Sequence, residues 1–180
     1  MQWFDWMTLA IIVVVAIVEA VRGSKSGGFG LPLFDAAGVI LAAVAATNLS
    51  SPVAQALSMQ KSLVMLIMFA LFTVGAFIVG YWLFGLTGWS FQSLDGLLGF
   101  LFGAATGWAV AHMVLRLLLE SQGYTGPVGS AMPNAIIARE IFEFRGWNWV
   151  MNLLFKAKFG QRSPWNVESA LPRALVRLLG

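Results

Sequence analysis

Cysteine is absent from the 180 residues, which excludes disulfides, thiolate metal sites and cysteine nucleophiles. Histidine occurs once, at His112, so no histidine pair or histidine-based metal cluster can be built. Charge is scarce: Asp, Glu, Lys and Arg make up 11% of the chain, against about 25% in soluble globular domains. No Walker loop, HExxH or GxSxG is present. An enzyme would have to work with Glu19, Asp35, Asp95 and His112 across a membrane, and the expectation is that the chain is not one.

What is abundant is apolar. Hydrophobic residues are 59% of the sequence and mean hydropathy is +0.81, well above the roughly 45–50% of soluble domains. The composition is that of a membrane protein. The formal charge is +3, and seven of the eleven basic residues fall at or beyond Arg139. That end is as hydrophobic as it is basic, which points to anionic lipid headgroups as its partner and away from nucleic acid.

Four apolar stretches are long enough, or nearly so, to cross a bilayer. Residues 4–21 follow a start whose first charge is Asp5, with no basic residue before Arg22; this is a retained span, not a secretory signal. Trp3 and Trp6 suit the headgroup level. Glu19 and Arg22, three apart, form a candidate ion pair near its end. Residues 24–30, SKSGGFG, read as a flexible connection. A second helix is expected over 32–47, short for a crossing and therefore spanning or re-entrant, with Asp35 in its first turn. Residues 48–60 read as a polar loop, 62–86 as a third span, and 87–93 as a link.

The fourth stretch, DGLLGFLFGAATGWAVAHMVLRLLL over residues 95–119, organises the reading. Gly99, Gly103 and Gly107 are four apart and share one helical face, a helix-packing ridge on which another backbone can approach closely. Glycine is also simply frequent in membrane helices. The spacing leaves open whether the ridge meets another helix of this chain, a second copy or a different protein. Asp95 is explained as a carboxylate at the helix start.

Beyond Glu120 the composition changes. Residues 121–133 contain Gly123, Gly126, Pro127 and Gly129 and read as an extended linker. Residues 134–180 read as a membrane-surface tail. There Trp147, Val150, Met151, Leu154 and Phe155 follow the helical template opposite Asn148, Asn152 and Lys156. Arg139, Arg145, Trp147, Trp149, Lys156 and Lys158 are its candidate membrane-surface residues. A second short helix is expected from Ser163-Pro164, interrupted by Pro172, with Arg173 and Arg177 on one face. The fold expected is all-α: an integral membrane bundle of four transmembrane helices over 1–120, a linker, and C-terminal interfacial amphipathic helices.

His112 lies inside the fourth span, where an imidazole should face protein, water or a ligand. It is a candidate proton carrier or axial ligand for a haem or chlorophyll-type pigment; the plainer reading is a histidine hydrogen-bonded to a neighbouring helix. No cofactor or metal is otherwise expected.

The opening WFDW with its apolar run to Arg22-Gly23, and Asp95, Leu98-Gly99, Gly103 and Gly107 in an Asp-x-x-Leu-Gly-x-x-x-Gly-x-x-x-Gly pattern, carry a resemblance. Over residues 1–119 the chain resembles the CvpA family, the colicin V production proteins, small bacterial inner-membrane proteins of four spans. It departs from that pattern at Gly96 and Thr106, where the family has basic residues, and over 24–28, where the family is charged. The resemblance implies a multi-pass inner-membrane protein connected with production, export and envelope function, and supplies no catalytic residues.

The reading that follows is a structural or accessory subunit, or an oligomeric scaffold, associating with the bilayer and with itself or other membrane subunits. A transport or channel component with Glu19, Asp35, Asp95 and His112 along a polar path is the alternative, and a pigment subunit using His112 a third. Arg22 and Lys25 in the first loop point one way for orientation, Lys61, Arg116 and the basic tail the other; the tail's attraction to an anionic cytoplasmic leaflet favours both termini inside.

Overall fold

The computed structural model describes residues 1–143. Four long helices dominate: α1 (Trp3–Ser26), α2 (Gly30–Leu57), α3 (Lys61–Thr87) and α4 (Asp95–Gln122). Their lengths of 24 to 28 residues correspond to about 36–42 Å at the helical rise, enough to cross a hydrocarbon core of about 30 Å. All four are apolar enough to do so. Two short helices follow, α5 (Pro127–Ala131) and α6 (Ile137–Glu143), separated by a 3-10 turn at Met132–Asn134.

The helix ends show why the chain turns where it does. Gly27 (φ 77°) closes α1 and Gly88 (φ 57°) closes α3, both in the left-handed region that glycine enters without cost. Ser58 (φ 53°) does the same for α2, where its amide reaches back to the last carbonyls. Residues 24–26, expected in a flexible connection, continue α1, and only three residues separate it from α2.

The largest difference from the sequence reading is in α2. Residues 48–57, expected in a loop, are helical, and the second helix is as long as the others. Polar residues there turn inward on the helix itself: Asn48 Nδ2 donates to the Val44 carbonyl at 2.9 Å and Ser50 Oγ to that of Thr47 at 3.2 Å. Pro52 sits inside the helix. Because α2 starts at Gly30, Asp35 falls in its second turn and is no N-terminal cap.

In the bundle α1 lies along α4, α4 touches α2, and α2 lies along α3, so that α3 is the outer helix. Phe4, Ala111, Leu115, Leu119, Met132 and Phe142 belong to one apolar core, where α1 and α4 meet the α5–α6 segment; Ala43, Ala46, Met65 and Met113 form a second between α2, α3 and α4. Residues 121–133 are thus not extended: Pro127 opens α5 at a position that needs no amide hydrogen, and Val128 and Met132 are buried. Of the segment from 134 expected on the membrane surface, the described part is the short helix α6, which instead packs into the protein with Ala138, Ile141 and Phe142 buried; the apolar pattern from Trp147, with Arg145, Trp149, Lys156 and Lys158, lies outside the described residues, as does the helix expected after Ser163.

Candidate functional site

The glycine ridge meets α1 of the same chain. A Cβ on Gly99 would lie 2.6 Å from the Glu19 carbonyl oxygen, one on Gly103 2.8 Å from the Ala16 Cα, and one on Gly107 2.7 Å from the Ile12 Cα. Backbone fills the space a side chain would need, so the three glycines set the α1–α4 separation. Gly23 of α1 returns the contact against the carbonyl of Asp95.

This close approach encloses charge. Glu19 is 3% exposed and lies over Gly103, whose added Cβ would be 2.7 Å from its own. Its Oε1 is 2.5 Å from Arg22 Nη1, the ion pair expected from sequence. The same Nη1 lies 2.7 Å from Oδ2 of Asp35, which is completely buried. One guanidinium therefore bridges carboxylates from two helices. On the far side of Asp35, α3 presents Gly80, where a Cβ would stand 3.1 Å from Oδ1. Glu19 Oε2 and both carboxylate oxygens of Asp35 accept no hydrogen bond among the described residues. The Arg22 side chain is 39% exposed while both acids are inside.

At the same end of the bundle Asp95 ties two loops together. Its Oδ1 accepts from the Phe91 amide at 2.8 Å and from the Phe29 amide at 3.1 Å, and its Oδ2 from Ser90 Oγ at 2.5 Å. Phe29 stacks on Phe91, Trp89 and Phe102 beside it. Asp95 thus caps the loops and not the first amides of its own helix.

At the other end Asp5 does comparable work. It accepts from the Gln2 amide at 2.7 Å in its own first turn and from the amides of Ile137 and Ala138 at 3.0 and 2.9 Å, with Ile136 at 3.2 Å. One buried carboxylate therefore caps α1 and α6 together. His112 Nδ1 lies 3.3 Å from the Ile141 carbonyl, which can only accept, and its ring stacks on Phe142 at 5.4 Å. Lys61 and Glu120 pair at 2.7 Å between the start of α3 and the end of α4. Arg139, expected at the membrane surface, pairs with Glu143 at 3.0 Å within α6.

The family model described as Colicin V production protein matches residues 4–143. The chain belongs to that family. The colicin V production match runs beyond the residues that suggested it, through α5 and α6, so residues 121–143 belong to the family region as well. Compared with the curated proteins and with solved structures, this family member finds no match.

Within this colicin V production family chain, the residues singled out by sequence fall into separate groups. Gly99 and Gly103 are brought against Glu19, and Gly107 against Ile12, while His112 sits with α6. No group of three or more His, Asp or Glu side chains able to hold a metal ion occurs among the described residues. The sequence reading missed the link from Arg22 to Asp35 and the capping of α6 by Asp5. The second had a signal, an acid in the first turn of a membrane helix, but its partner is more than 130 residues away.

Proposed function

We propose that this membrane protein is a multi-pass, non-catalytic component of a bacterial inner membrane, acting as an accessory subunit or oligomeric scaffold in a larger complex. What supports the reading is how the chain uses its polar groups. Asp5, Glu19, Arg22, Asp35, Asp95, Lys61 and Glu120 are engaged within the fold, tying helices and loops to one another. The outer helix α3 meanwhile turns Leu71, Ile78 and Tyr81 outward, together with Gly75, around which nothing stands within 4 Å. An uncovered apolar helix suits association in lipid, where close van der Waals contact drives pairing.

The arrangement does not favour a transport path. Glu19, Asp35 and Asp95 gather near one end, while His112 lies nine residues beyond Gly103 on α4, about 13 Å along the helix axis. Between them Ile12 and Ala16 press on Gly107 and Gly103. With four crossings, the N-terminus and α5–α6 share one face of the membrane; the basic residues from Arg139 onward favour the cytoplasmic one.

The test is purification in mild detergent followed by native mass measurement, beside flux assays in vesicles holding the purified chain alone. The proposal expects a species heavier than the 19.5 kDa chain and no flux. A monomer that moves an ion or solute would overturn it.

A further inference from the structure

We propose that the Glu19–Arg22–Asp35 triad is a binding site for one exchangeable proton, held on Oδ1 of Asp35. The inference stands apart from the scaffold reading, since it concerns the inside of the bundle. It begins with charge. Two carboxylates share a single guanidinium nitrogen, at 2.5 and 2.7 Å, and both acids are buried among apolar helices. Fully ionised, the triad would carry one net negative charge inside the bundle, where an uncompensated buried charge is expensive. One proton makes it neutral.

The geometry says which atom takes that proton. Glu19 accepts the Arg22 hydrogen bond on Oε1 and leaves Oε2 bare, whereas Asp35 accepts none on either oxygen among the described residues, its Oδ2 only standing 2.7 Å from the same nitrogen, so Asp35 is the less stabilised anion. Asp35 Oδ1 lies against Gly80 of α3, where a Cβ would stand 3.1 Å from it, and no donor meets it among the described residues. The charged neighbours on the packed elements do not supply the missing charge. On α4 Asp95 is engaged by Ser90, Phe91 and Phe29; on α3 the charged residue is Lys61, at the opposite end and paired with Glu120; Lys25 lies near the end of α1, exposed.

Among the described residues the triad is open on its Arg22 side. The Arg22 side chain is 39% exposed four residues before the end of α1, which makes it the open side of the triad; exchange of the proton with bulk water belongs there, with no other bond made or broken. On the inner side the contacts of Gly103 with Ala16 and of Gly107 with Ile12 close the α1–α4 seam. A proton bound from one face and returned to that face alters the charge of the bundle without crossing it.

The experiment is pH-difference infrared spectroscopy of the full chain in lipid, with and without 13C in the aspartate side-chain carboxyls. The expected result is a protonated-carboxyl C=O band at neutral pH that shifts with the label, vanishes as pH rises and is unchanged when sodium replaces choline. Asp35→Asn should abolish it. Because the chain has only three aspartates, retention of the band in Asp5→Asn and in Asp95→Asn assigns it by elimination even if Asp35→Asn fails to fold. No band at neutral pH, a band indifferent to the label, or a band removed by sodium would overturn the proposal, the last showing an alkali-cation site instead.

Discussion

Gly103 of α4 lies directly beneath Glu19 of α1, so close that a Cβ there would stand 2.7 Å from the Glu19 Cβ and 2.8 Å from the Ala16 Cα. The glycine thus brings the two helices together and makes room for a buried acid. Gly103→Ala should destabilise the protein by about 1–3 kcal/mol, the usual range for overpacking a filled interior. Gly75→Ala, in open space on α3, should change stability by less than about 0.5 kcal/mol. Unfolding of both variants in detergent, followed by circular dichroism, compares them.

Asp5 is the capping acid for α6. Asp5→Ala leaves the amides of Ile136, Ile137 and Ala138 without that acceptor, at a cost of about 0.5–2 kcal/mol for a lost helix cap. Asp5→Asn keeps an acceptor oxygen and should lose less. Hydrogen exchange at residues 136–138 should quicken in the order wild type, Asn, Ala, while exchange in the middle of α3 stays unchanged.

These two contacts show what the sequence revealed and what it hid. Spacing along one helix is local, so the ridge of Gly99, Gly103 and Gly107, the Glu19–Arg22 pair and three of the four long helices were readable. Pairing between helices is not local, so nothing marked α1 as the ridge's partner or joined Asp35 to Arg22. The second half of α2 was hidden for another reason. Asn48, Ser50 and Pro52 favour turns, yet two of them hydrogen-bond to the preceding turn of the helix while Ala46 and Ala54 pack inside. In the same way Gly126 and Pro127 signalled a break, and the break proved to be the start of a docked helix.

His112 joins α4 to α6 through Ile141 and Phe142. His112→Phe keeps an aromatic ring against Phe142 and removes the hydrogen bond, so the prediction is faster hydrogen exchange confined to α6. The purified wild-type protein should show no visible absorption band; a band lost in His112→Phe would restore the pigment reading.

Lys61 and Glu120 pair at 2.7 Å near the bundle end, with the lysine 37% exposed. A double-mutant cycle with Lys61→Met and Glu120→Gln should give a coupling of about 0.2–1 kcal/mol that shrinks with added salt, as partly solvated pairs do.

Association of this family member through its outer helix α3, as proposed, is open to direct test. With no native cysteine, single cysteines can be placed cleanly at Leu71, Gly75 and Ile78 along one face of α3, and at Val14 on the exposed face of α1 as a comparison. Cross-linking in native membranes should give products heavier than the 19.5 kDa chain from the three α3 positions and not from Val14. If all three α3 cysteines stay at monomer mass under conditions that cross-link a known membrane dimer, association through α3 is contradicted.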